Sequence, residues 1–199
     1  MKKSYHILAL AASLALVSCN ELRRGNDSNL NEERNEAAAE SNTDKFAGKK
    51  QKDADFVYEV VASNYGEIKL AELANQKSRT SEVKKVAEKL LTDHTSSLNE
   101  LKTLAQAKAI SVPVEEADAS KRNLENIAEE SGHEFDVKWC KEMMELHEQN
   151  IEKFEKRMDE TEDVELKAFI SKTLPVLKEH HQSLEACEQT LKNKRADLD

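Results

Sequence analysis

The sequence predicts an all-α protein built as a four-helix bundle, on three observations. Glycine and proline are scarce, with 4 and 2 among 199 residues, so few turn formers are available. Charged residues make up 35% of the chain and aromatic residues only 5%, the profile of long amphipathic helices rather than of strands. Four long stretches carry apolar residues at spacings of three and four, which is the period of one helical face.

The first of these stretches begins near Asp53 and aligns Phe56, Val60, Asn64, Glu67, Ala71 and Ala74. Ser78 to Ser81 break the pattern and offer a hydroxyl cap to the second stretch, which aligns Val83, Ala87, Leu90, His94, Leu98, Leu101 and Ala105. Pro113 is expected to end that helix. A crossover follows, up to Gly132, with a short helix expected around Ser120 to Glu130 on the apolar contacts of Leu124 and Ile127. The third stretch aligns Phe135, Cys140, Met143, His147, Ile151, Phe154 and Met158. The fourth, expected to be capped by Thr161, aligns Leu166, Ile170, Leu177, His180, Leu184, Cys187 and Leu191, and Pro175 inside it predicts a kink. Two antiparallel hairpins joined by a long crossover with a short helix define a ferritin-like topology over residues 53–193, followed by a tail at 194–199.

The amino terminus has a different character. Lys2 and Lys3 precede an apolar run from Ile7 to Val17, which reads as an export signal over residues 1–18. Leu16-Val17-Ser18-Cys19 looks like a lipobox, so Cys19 is expected to carry diacylglycerol and to attach the protein to a membrane of the bacterial cell envelope, the outer membrane first among them. Residues 19–52 are polar and lack a sustained period, which predicts a disordered tether. A flexible coil of that length would reach on the order of 30 Å.

A stripe that faces a core should be apolar, because burying an unpaired polar group costs about 1–3 kcal/mol. Each stripe here is interrupted by Glu67, His94, His147 or His180. Glu67 and His94 stand equally far from a midpoint between Thr80 and Ser81, and His147 and His180 from one between Asp163 and Val164, so each pair is expected at one level of its hairpin. Three imidazoles and a carboxylate converging in a bundle suit a transition metal: Zn, Cu, Fe or Mn. Asp93, Asp136 and His181 are candidates for supporting the ligands from behind. The same residues also admit a site without metal, in which the histidines form a buried hydrogen-bond network that only orders the core.

Cys140 and Cys187 share the second midpoint and are expected to face each other, which an oxidising compartment would turn into a disulfide. A rival is a Cu(I) site made from Cys140, Met143, Met144 and His147 at helical spacing.

Asp55-Phe56, Gly66-Glu67, Leu70-Ala71-Glu72-Leu73-Ala74, Asp93-His94-Thr95, Phe135-Asp136, Met143-Met144-Glu145-Leu146-His147 and Leu174-Pro175-Val176-Leu177-Lys178-Glu179-His180 together resemble the domain of unknown function 4142 family. The resemblance spans about Asp53 to Leu191 and implies an exported ferritin-like helical bundle, without implying a reaction. Di-iron proteins of ferritin type use Glu-x-x-His on two helices. The residues three before His94, His147 and His180 are Leu91, Met144 and Leu177, so the expected site is mononuclear and rich in histidine.

The net charge of −9 argues against a nucleic-acid ligand, which needs a basic stripe. No Gly-rich phosphate loop, nucleophile motif or paired-carboxylate signature points to an enzyme. Two functions remain in view: a metal-binding lipoprotein, or a structural adaptor that binds an envelope protein partner.

Overall fold

The structure, a computed structural model, describes residues 19–196. The described residues contain no strand and form α1 (Cys19–Lys45), α2 (Gly48–Lys77), α3 (Ser81–Ala107), α4 (Asp118–Ala128), α5 (Gly132–Glu160) and α6 (Val164–Ala196). The expected leader at 1–18 lies outside the described residues, as do 197–199 of the expected tail; residues 194–196 of that tail continue α6. No helix among the described residues is long and apolar enough to cross a membrane.

α2 and α3 form one hairpin across residues 78–80, and α5 and α6 form the other across 161–163. α2 packs on α5 and α3 on α6, so the two hairpins close into one bundle, with α4 laid across α2 and α5. Gly66 permits that close approach, because a Cβ there would stand 3.1 Å from the Cβ of Ser120 on α4.

The core is divided into two apolar blocks. One gathers Phe56, Val60, Leu101, Phe154, Leu166 and Ile170, among others. The second gathers Leu70, Leu90, Phe135, Trp139, Met143 and Leu184, and the Trp139 indole donates to the Leu70 carbonyl at 2.8 Å. Each large apolar side chain buried this way contributes about 1.5–3 kcal/mol. On each of α2, α3, α5 and α6, the ligand-type residue that interrupts the apolar stripe falls between the segments feeding the two blocks.

Several helix ends depart from expectation. α3 ends at Ala107, six residues before Pro113. Ala109 adopts a left-handed φ of 55°, its N–H donates to the Gln106 carbonyl, and the Ile110 N–H donates to the Ala105 carbonyl. That pair of bonds is a Schellman motif closed without glycine, with Ile110 folding back as its apolar contact. Thr80 makes no side-chain cap to α3; its hydroxyl donates instead to Asp136 Oδ2 at 2.5 Å, tying the first turn to α5. Asp163, not Thr161, caps α6: Asp163 Oδ1 accepts from the Leu166 N–H, while Thr161 Oγ1 accepts from the Asp163 N–H. α6 runs on through Pro175 as one helix.

The largest correction concerns residues 19–52, expected as a disordered tether. They form α1 and the start of α2. The missing apolar period is replaced by asparagines that satisfy the crossover's backbone. Asn42, 1% exposed, donates to the Ser111 carbonyl and accepts from the Ser111 N–H, both at 2.8 Å. Asn35 Oδ1 accepts from the Val114 N–H at 2.8 Å, its carbonyl accepts from the Tyr58 hydroxyl, and Asn31 donates to Glu115. An irregular crossover carries orphan backbone groups that must find partners, and α1 supplies them.

Candidate metal centre

Glu67 from α2, His94 from α3, His147 from α5 and His180 from α6 meet between the two apolar blocks, none more than 4% exposed. The imidazole rings form a triangle with centroids 5.2 to 5.3 Å apart. His147 Nε2 lies 3.3 Å from His94 Nε2 and 3.2 Å from His180 Nδ1, and one nitrogen from each ring falls within 4.8 Å of the others. Glu67 Oε2 joins them, 3.1 Å from His94 Nε2 and 3.8 Å from His147 Nε2. An ion held tetrahedrally at about 2.0–2.1 Å from nitrogen or oxygen sets neighbouring ligand atoms roughly 3.3 Å apart.

What surrounds the four atoms decides their protonation. His147 Nδ1 faces the Met143 carbonyl at 2.8 Å, an acceptor with no proton to give, so Nδ1 donates. His180 Nε2 faces Asp93 Oδ2 at 2.9 Å and donates likewise. His94 Nδ1 faces Asn64 Oδ1 at 3.0 Å, and the Asn64 amide is oriented because its Nδ2 donates to the Val60 carbonyl. In neutral imidazole only one nitrogen carries a proton. Every outward nitrogen holds it, so the three inward nitrogens present lone pairs.

Glu67 is arranged in the same way. Its Oε1 accepts from Ser63 and from Asn150, each at 2.7 Å, while its Oε2 is buried with no hydrogen-bond donor. Burial alone would raise the Glu67 pKa; the charge that His94 and His147 carry when protonated, with the hydrogen bonds from Ser63 and Asn150, outweighs it and holds the carboxyl below its usual range. Burial also lowers the pKa of His94, His147 and His180, with Glu67 opposing the shift at the first two and Asp93 at the third. Four acceptors converge in a buried site, an arrangement that could hold a cation.

The remaining candidates separate. Asp93 supports His180 and accepts from Lys89 at 3.0 Å; those bonds overcome its burial and lower its pKa. His181 lies on another face, 3.9 Å from Glu185. Asp136 bonds Thr80 and stands eleven residues before His147, about 16 Å along α5. The spacing argument passed over the partners Asn64, Ser63 and Asn150. Their one available signal is position, each a turn away from Glu67 or His147 on the same helix.

Cys140 and Cys187 face each other in the second apolar block with sulfurs 3.4 Å apart. Contact with Cys187 and burial push the Cys140 pKa far up. Met143 and Met144 pack into the same block, and His147 turns to the other histidines, so the rival Cu(I) set is not assembled.

Residues 35–187 match the family described as Domain of unknown function (DUF4142), and the chain belongs to that family. No curated protein and no solved structure matches it.

Proposed function

We propose that this chain is an envelope-anchored lipoprotein of ferritin-like build whose bundle binds one transition-metal ion through Glu67, His94, His147 and His180. The observation that carries the proposal is the arrangement of partners: each outward atom of the four residues has its own hydrogen-bond partner, which leaves the four inward atoms facing one another as acceptors. A core network that served only to order the fold would alternate donors with acceptors. Three neutral imidazoles and a carboxylate suit zinc, copper, iron or manganese, and outer partners that fix each ring are what metal ligands require. The anchor is lipid on Cys19, and the protein stands on the outer membrane, as the leader and lipobox pattern suggest.

Metal content by mass spectrometry, on protein purified without chelator or affinity metal, tests the binding. The expected result is about one ion per chain, lost in His94→Ala/His147→Ala while helical circular dichroism is retained. Protein that refuses Zn, Cu, Mn and Fe after reconstitution would defeat the proposal and favour the adaptor.

A further inference from the structure

Two cavities meet at the seam between α3 and α6. The inner one, about 20 Å³, is bounded by Glu67, His94 and His180 and has room for one water-sized molecule. The outer one, about 150 Å³, lies toward the surface beside the Glu100–Lys172 ion pair. Asp93, Ser97, Thr173 and Val176 line both, so these side chains are the wall between solvent and the ligand atoms. Polar groups of Ser63, Asn150 and Thr173 stand around the inner void, and His147 is not part of its wall.

The seam is also where α6 lacks a backbone hydrogen bond. Pro175 lies between Thr173 and Val176 and has no N–H to offer the Ser171 carbonyl. Along the bundle axis the centre is closed on both sides by the apolar blocks.

We infer that the metal centre keeps an open coordination position on its Glu67–His94–His180 side, where the inner void takes the donor atom of one small anion entering through the seam and the outer cavity takes any atoms beyond it. The inference rests on the metal-binding proposal above. Three neutral imidazoles and one carboxylate leave a divalent ion with a net positive charge, which selects an anion such as hydroxide or azide. The size of the void excludes organic substrates. An open position of this kind distinguishes a reactive metal site from a closed structural one.

The test is azide titration of the full chain loaded with Co(II), followed by visible absorption. The wild type should show a saturable spectral change at one azide per cobalt, and benzoate should give none. Ser97→Leu, which narrows the seam from α3, should keep its cobalt and slow azide entry by about tenfold or more. Thr173→Leu makes the same test from α6 should the first variant fold poorly. A cobalt spectrum insensitive to azide overturns the open position. Unchanged azide rates in both variants overturn the route. Failure to take up Co(II) at all strikes instead at the metal centre itself, so the two proposals fail separately.

Discussion

A carboxylate and three imidazoles placed between apolar layers are held in place by their neighbours, so changes to those neighbours should reach the metal. Asn64→Leu leaves the His94 Nδ1–H buried without its acceptor and frees the ring to turn. Metal affinity should fall about 10–100-fold, read by competition with a chromophoric chelator, with the fold intact. Acid should act on the same atoms. The folded-state pKa values of His94, His147 and His180 lie below the usual 6.5, so the unfolded chain binds more protons and stability falls as pH drops below about 6.5. Glu67 has the same sign, with its contribution complete above 4.5 and lost as pH falls through its lowered value. Thermal melts of the metal-free protein from pH 7.5 down to about 4 should show a falling midpoint; a flat profile would contradict the burial-driven shifts. The four inward-facing residues were legible in the sequence because a polar residue on an apolar stripe stands out and a hairpin midpoint sets its level. Ser63 and Asn150 were not, because short polar residues on a helix usually face water; Asn64 stood on the stripe, but its part as a partner of His94 depends on a ring orientation that spacing does not encode.

The helices themselves were legible from their period, and their ends less so. α3 stops at a left-handed alanine, a conformation that costs an L-residue roughly 1–2 kcal/mol and gives no sign in the sequence. Ala109→Gly removes that strain where the unfolded-state entropy of glycine takes back only part of the gain. The variant should be more stable by about 0.5–1 kcal/mol, visible as a higher urea midpoint at unchanged slope. α1 was hidden for another reason. Hydrophobic periodicity detects helices that bury apolar stripes, whereas α1 docks by amide-to-backbone hydrogen bonds through Asn35 and Asn42. A chain beginning at Gly48 should therefore show faster hydrogen exchange at the Ser111 and Val114 amides. Unchanged protection there would mean the crossover stands without α1.

For the whole molecule, the ligands are shared equally between the hairpins: Glu67 and His94 from the first, His147 and His180 from the second. An ion bound by all four stabilises the native state against the unfolded chain, by about 2.7 kcal/mol at a free concentration one hundred times its dissociation constant. The thermal midpoint should rise on metal addition and return with a chelator, and the rise should vanish in His147→Ala. Because each ligand pair lies within its own hairpin, that variant should lose the metal gain and keep both hairpins.

The helical state of residues 19–45 changes what an anchor at Cys19 would do. A coil would let the bundle tumble on a leash above the lipid. A 27-residue helix is a post about 40 Å long, and its far half is fastened to the crossover by Asn31, Asn35 and Asn42. Lipid at its foot would fix both the height of the bundle and the direction in which the α3–α6 side looks out from the membrane.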